Sequence, residues 1–334
     1  MTSLVTGASG FLGGHVAEQL CQRGEQVRVL ARKTSNLSAI KHLPIEIVYG
    51  DLSKIESIIS AATGVDTVFH CAGSVKHVAP YSQLYDANVI GTKNVTIAAA
   101  KVGVKRIVYA SSLGVYGSDG HIVNNATKMI KPSIKENYCR SKVEAEILFF
   151  QKCSELNIEG VALRPGVIYG PRDYTASYHW FKAVDENHVA LVGNGTARFP
   201  LVYITDLVEV FINASERSGL SGNAYNLDGP GDATLKRIYD LIAKELGKNP
   251  DYRYYHYTIS MLAAKFNQLK AAITGNDGNT LISTLVVELF GKDHPKPDCQ
   301  KAKEDLGFLP KTGLEEGIRK TAEWYRNRKM DQKN

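Results

Sequence analysis

Cysteine is scarce and never paired at close spacing: five residues in 334, an odd number, with no C-x-x-C. A disulfide framework and a zinc ribbon are thereby excluded, and Cys21, Cys71, Cys139, Cys153 and Cys299 are expected as reduced thiols with no metal site. Long apolar runs are missing too. The most apolar late stretch, Leu281 to Phe290, has about half of the ~20 residues that a bilayer span needs, so no transmembrane helix is expected. There is no internal repeat and no low-complexity tract. Charge of one sign is barely in excess: 40 Lys and Arg against 34 Asp and Glu leave +6, much of it in the tail Arg319 to Lys333. Without interleaved basic and aromatic residues, nucleic-acid binding is not expected, while a small anionic ligand fits the mild excess. The first predicted strand begins by Ser3, which leaves no room for a signal peptide, and a cytoplasmic protein is expected. The triplet Asn125-Ala126-Thr127 is then a chance match to a glycosylation site.

What is present is alternation. Ser3 to Thr6, Gln26 to Ala31, Ile45 to Tyr49, Thr67 to Cys71, Arg106 to Ala110 and Gly160 to Arg164 are short β-branched runs with little polar alternation, as strands buried on both faces require. Helix-length segments lie between them, notably Gly10 to Arg23, Tyr81 to Val102 and Tyr138 to Leu156. Right-handed crossovers then yield an α/β fold, a doubly wound parallel sheet that binds ligands at the carboxyl ends of its strands. After Pro165, Gly-rich turns separate shorter mixed elements. The expected organisation is a dinucleotide-binding domain over 1–165, with a helix in 205–217 returning to it. A smaller interleaved α+β lobe takes 166–204 and 218–330, and 331–334 form a tail.

The turn Thr6-Gly7-Ala8-Ser9-Gly10-Phe11-Leu12-Gly13 follows the first strand and opens the first helix. Its glycines allow a tight turn and a close approach of backbone N–H groups to a pyrophosphate, whose charge the helix N-terminus favours. Dinucleotide binding is expected here. About 20 residues on, where an acid would accept from the ribose of NAD, stand Arg32 and Lys33 instead. A guanidinium suits a 2′-phosphate, so NADP(H) is preferred, with NAD(H) as the alternative. Asp51 and Leu52, after the third strand, are candidate adenine contacts; an N-cap role for Asp51 is the competing explanation.

Tyr138 and Lys142 stand one turn apart on one helix face. A cation a few Å from a phenol, at an effective dielectric of about 20, is worth up to roughly 4 kcal/mol, enough to bring a Tyr pKa from about 10 towards neutrality. Tyr178 with Lys182 and Tyr325 with Lys329 match the spacing equally. Topology selects Tyr138, because its helix follows the fifth strand, whose exit carries Ser112, a donor for a substrate oxygen. Ser112, Tyr138 and Lys142 are the expected catalytic groups.

Together, the glycine turn, Gly50-Asp51-Leu52, Val68-Phe69-His70-Cys71-Ala72-Gly73, Asn88-Val89-Ile90-Gly91-Thr92, Ser112 with Val115-Tyr116-Gly117, Tyr138 to Lys142 and Leu163-Arg164-Pro165 resemble the extended short-chain dehydrogenase/reductase superfamily. That superfamily includes nucleotide-sugar epimerases and dehydratases, 3β-hydroxysteroid dehydrogenase-like enzymes and dihydroflavonol reductase-like ketoreductases. The resemblance implies that Tyr138 is the general acid or base, that Lys142 binds the nicotinamide ribose and lowers the phenol's pKa, and that Ser112 orients a carbonyl. Asn88 would support the site. Cys71, Ala72 and Gly73 would pass beneath the cofactor, Ala110 and Ser111 would border it, and Pro165, Gly166 and Val167 would flank the nicotinamide. Ser74, Arg172, Tyr174 and Arg198 are candidate substrate contacts, with either arginine in reach of a diphosphate. Relatives similar to the dehydratases follow their Thr with Asp-Glu; here Leu113 and Gly114 occupy those places, so dehydration is not expected. The expected activity is an NADP(H)-dependent ketoreductase. A nucleotide-sugar epimerase with a tightly held cofactor is the alternative, and a non-catalytic dinucleotide-binding subunit is a third. A small-molecule substrate and a homodimer are expected. The apolar stretches Ile259 to Ile273 and Leu281 to Phe290 could cap an apolar substrate or lean on a membrane surface.

Overall fold

The computed structural model describes residues 1–117, 136–274, 283–294 and 296–331. The triplet at Asn125 and most of the predicted tail, 332–334, lie outside the described residues.

Seven parallel strands form the main sheet in the order β11-β6-β5-β4-β1-β2-β3. They are β1 (Thr2–Thr6), β2 (Gln26–Ala31), β3 (Ile45–Tyr49), β4 (Thr67–His70), β5 (Arg106–Ala110), β6 (Glu159–Pro165) and β11 (Ala224–Leu227). Side chains alternate across the sheet with a period of two. Val5, Phe69, Val108 and Val161 face one core, beneath α1 (Phe11–Gln22) and α7 (Ile204–Glu216). Leu4, Val68, Ile107 and Ala162 face the other, beneath α2 (Ile55–Ala62), α4 (Gly91–Lys101) and α5 (Asn137–Glu155). Each fully buried Val or Leu of this set stabilises the fold by about 1.5–3 kcal/mol relative to exposure, which is why these runs carry no polar alternation.

The predicted helix Tyr81 to Val102 has a defect that divides it. A short α3 (Tyr81–Leu84) passes into a π-helical stretch, Tyr85–Ile90, before α4 begins. Such widened turns recur at functional sites, and this one carries Asn88. Strand β11, in the segment assigned to the lobe, pairs with β6 through Ala224 with Ala162 and Leu227 with Pro165. The remaining elements are β7 (Val167–Tyr169), α6 (Ser177–Asp185), β8 (Val189–Val192), β9 (Arg198–Phe199), β10 (Leu201–Tyr203), β12 (Ala233–Thr234), α8 (Leu235–Leu246), β13 (Tyr252–Tyr255), α9 (Tyr257–Thr274), α10 (Thr284–Gly291), α11 (Gln300–Leu306) and α12 (Leu314–Asp331). Three two-stranded pairs, β10 with β7, β12 with β9 and β13 with β8, order this part. The strand order reverses between β1 and β4, so the crevice at their carboxyl ends is the switch point where a ligand belongs.

Candidate active site

Gly7 leaves β1 at φ +75°, and a Cβ there would lie 2.6 Å from the Ala72 nitrogen. Only glycine lets the turn run this close to the exit of β4. Gly13 sits with equal economy, since a Cβ on it would meet the Gly7 carbonyl oxygen at 2.5 Å. Gly10 donates its N–H to that carbonyl at 2.9 Å, and α1 starts at Phe11 with Ser9 and Gly10 exposed before it and Leu12 half-buried after it. The result is a bare helix N-terminus in the switch-point crevice, which fits a pyrophosphate. Arg32 and Lys33 are exposed at the carboxyl end of β2. Asp51 accepts from the Ser53 N–H at 2.8 Å. That bond, the Ser53 hydroxyl and the charge of Arg32 hold its carboxyl below the usual range; this is a turn contact and not the N-cap expected of Asp51, since Lys54 occupies the N-cap of α2 without a side-chain bond. Leu52 accepts from Asn94 at 2.8 Å through its carbonyl.

At the β4 exit a chain of bonds ties the two halves of the crevice. Thr92 Oγ1 donates to the Asn88 carbonyl at 2.6 Å. It therefore accepts from His70 Nε2 at 3.0 Å, which leaves Nδ1 to accept from Thr6 Oγ1 at 2.8 Å. Burial, with the charge of Lys142 added, lowers the His70 pKa to about 3, so the ring is neutral. Asn88 extends the chain: its Oδ1 accepts from the Ser74 N–H at 2.7 Å, and its Nδ2 donates to the Ser74 carbonyl at 3.1 Å and to Ser141 Oγ at 2.9 Å. Asn88 thus clamps Ser74 and α5 to one another. Cys71 and Ala72 run beneath the glycine turn, with the Cys71 thiol pushed up to about 12 by burial. Gly73 lies against Asn88 Oδ1, where a Cβ would come within 3.1 Å.

Ser112 ends the β5 exit, caps the turn Leu113–Tyr116 by accepting from the Gly114 N–H at 3.0 Å, and lies beside Tyr138. A Cβ on Gly114 would lie 3.2 Å from Ser112 Oγ and 3.5 Å from the Tyr138 ring, so the absence of a side chain there lets the two groups meet. Lys142, buried at 6% exposure, donates to the Ala110 carbonyl at 2.7 Å and to the Tyr109 hydroxyl at 3.2 Å. The expectation that this lysine draws the phenol towards neutrality is corrected here. Burial raises the Tyr138 pKa to about 12, neighbouring Ser112 pulls it back, and the ammonium is engaged on the β5 side. Lys142 itself is lowered by burial to about 8, with Glu146 holding it up.

One neighbour was not foreseen. His77 packs edge-on against Tyr138 at 4.9 Å between ring centroids, its Nδ1 has no hydrogen-bond partner among the described residues, and burial lowers its pKa to about 4. A lone His in a loop between β4 and α3 has no spacing signal that could single it out.

Behind Tyr138 lies a second feature without a sequence signature. Glu146, on α5, is fully buried and accepts from Arg164 Nε at 3.0 Å, from Arg164 Nη2 and from the Ser111 hydroxyl. Arg164 also donates to the Tyr116 hydroxyl at 2.5 Å, which donates to Asn226 of β11 at 3.1 Å. The Ser111 side chain, placed at the cofactor border by sequence, is therefore directed into this network.

Among the remaining predicted residues, Pro165 closes β6, and Gly166 packs so tightly on Pro200 that a Cβ would lie 2.7 Å away. Val167 donates to the Pro200 carbonyl at 2.9 Å. The expected substrate contacts scatter. Arg172 pairs with Glu18 of α1, and Arg198 pairs with Asp293 at 3.5 Å. Tyr174 packs edge-on against Trp324 of α12 at 5.4 Å. Among the described residues no group of three His, Cys, Asp or Glu could hold a metal ion.

The family model described as "NAD dependent epimerase/dehydratase family" matches residues 3–228. The chain is 34% identical to the 3-beta-hydroxysteroid dehydrogenase of Mycolicibacterium neoaurum, over 96% of this chain and 90% of that one. It is 32% identical to sterol demethylase protein B of Methylococcus capsulatus, over 69% of this chain and 70% of that one. In fold it is similar to the UDP-glucuronic acid 4-epimerase of Bacillus cereus solved with UDP-glucuronic acid and NAD, at a TM-score of 0.80 and 20% identity, covering 98% of this chain and 99% of the other. The bare glycine turn, the crevice at the β1/β4 switch point and the Ser112–Tyr138 pair beside it thus accompany a match over most of the chain, which belongs to the NAD-dependent epimerase/dehydratase family.

Proposed function

We propose that the chain is an NADP(H)-dependent ketoreductase that interconverts a ketone and a secondary alcohol on an apolar ring substrate. The observation that carries this reading is the place of Ser112 beside Tyr138 at the β5 exit, where a Cβ on Gly114 would touch both, with Leu113 and Gly114 where a second acid/base pair would stand. The dinucleotide, when bound, supplies or takes up the hydride. The glycine turn and the α1 N-terminus hold its pyrophosphate, and Arg32 takes the 2′-phosphate. Lys142 has one ammonium proton left after its bonds to Ala110 and Tyr109, and this donates to a ribose hydroxyl. Ser112 donates to the substrate carbonyl oxygen. Tyr138, protonated at neutral pH because its pKa is raised to about 12, gives that oxygen its proton. A raised phenol suits the acid role and hence reduction.

The relatives named for a steroid and a sterol support an apolar ring substrate. Both arginines that a sugar diphosphate would need are engaged by carboxylates, Arg172 by Glu18 and Arg198 by Asp293, which favours a ketone over a nucleotide sugar. The test is NADPH consumption by the purified protein against a panel of steroid-like and small ketones. Net oxidation of NADPH with the apolar ketones is expected. Conversion of a UDP-sugar without net cofactor turnover would establish the epimerase instead.

A further inference from the structure

Helix α9 is inside out. Its packed face holds Ala264 and Ala271, both buried, while Ile259, Leu262, Phe266, Leu269 and Ile273 are each between 59% and 77% exposed. A surface helix of a water-soluble fold normally does the reverse. At ~100° per residue the five large side chains fall within an arc of about 80°, opposite the two alanines. The helix carries Lys265 and Lys270 and no acidic residue. On the same wheel these two lysines flank the apolar arc, one on each side. Tyr254 and Tyr255, exposed on β13 just before the helix, continue the surface.

We infer that α9 lies flat on the surface of an anionic lipid bilayer. Its apolar arc enters the acyl boundary, and the lysine stems snorkel to the phosphates on either flank. Spanning is not at issue, since among the described residues no helix is long and apolar enough to cross a membrane. A second copy of the helix is the competing occupant, because the spacing 259, 262, 266, 269, 273 is also a coiled-coil seam. Charge decides against it. In a parallel pair Lys265 faces Lys270 of the copy on both flanks, and the helix has no acidic residue to relieve that repulsion; an anionic surface satisfies both lysines.

On its packed side α9 meets α10, where Gln268 donates to Thr284 at 2.9 Å, and α10 meets β9, where Phe290 packs edge-on against Phe199 at 4.9 Å between ring centroids. The docking is independent of the ketoreductase reading.

The test is co-sedimentation with vesicles of phosphatidylcholine alone and of phosphatidylcholine mixed with phosphatidylglycerol, at low and raised salt. Binding is expected to the mixed vesicles, weaker at raised salt and on the neutral ones. Leu262→Ser combined with Phe266→Ser should lower the partition coefficient roughly 30-fold or more at an unchanged thermal midpoint. Lys265→Glu combined with Lys270→Glu should remove the preference for anionic lipid while leaving the apolar arc intact. Failure of the wild-type protein to sediment with either vesicle would overturn the inference, as would undiminished binding by the serine variant. A dimer by light scattering that dissociates in the serine variant would assign the arc to a second copy and overturn it too.

Discussion

Replacing Glu146 by glutamine tests the network behind the tyrosine in two ways at once. The Glu146 side chain is 0% exposed and that of Arg164 6%, so the pair exchanges no charge with water. Glutamine keeps the shape but removes the charge and presents an NH₂ where the guanidinium needs an acceptor. An uncompensated buried guanidinium costs about 3–5 kcal/mol, a large part of the 5–15 kcal/mol typical of a folded protein. Urea unfolding followed by the fluorescence of Trp180 and Trp324 reads this loss. The second effect falls on Lys142. Burial pulls its ammonium down to about 8 against the upward pull of Glu146, so without that carboxylate the ammonium loses its proton at lower pH. The alkaline limb of NADPH-dependent reduction, expected near pH 8 in the parent, should move towards acid. Glu146→Leu combined with Arg164→Met, which leaves no buried charge, should recover most of the stability but not the limb. A single variant within ~1 kcal/mol of the parent, or an alkaline limb that stays in place, would refute the reasoning.

Two further expectations concern the crevice. Arg32→Ala should raise the KM for NADPH by roughly 10–100-fold and leave that for NADH within about two-fold, as the proposed pairing of the guanidinium with the 2′-phosphate requires; steady-state kinetics with both cofactors check this, and equal losses would contradict it. His70 protonates at about 3 in the fold against 6.5 unfolded. The unfolded chain therefore takes up protons first, and stability falls as pH drops from 6.5 towards 3. The loss between about pH 7.5 and about pH 5 is worth about 2 kcal/mol, and His70→Asn should lose that much less in urea titrations at the two pH values.

The strands and crossovers were legible in sequence because buried parallel strands must be continuously apolar, and Thr2–Thr6, Gln26–Ala31 and Arg106–Ala110 lie where their composition placed them. Strand Ala224–Leu227 was hidden by its length and its mixed letters, since pairing with β6 supplies what four residues cannot signal alone. The π-helical stretch at Asn88 escaped because a helical period does not report one widened turn. Spacing put Tyr138 and Lys142 on one face but could not say where the ammonium would find acceptors; the Ala110 carbonyl and the Tyr109 hydroxyl, on a different strand, decided that. Arg172 and Arg198 looked available for the same reason, their partners Glu18 and Asp293 being remote in sequence.

The most direct test of the account is Tyr138→Phe, a change of one oxygen at the proton donor. With the best ketone of the panel, NADPH-dependent turnover should fall by about 10²–10⁴-fold while the Kd for NADPH, from fluorescence titration, stays at the parent value. Turnover at the parent rate with the hydroxyl gone would contradict the assignment of Tyr138 as the group that protonates the substrate.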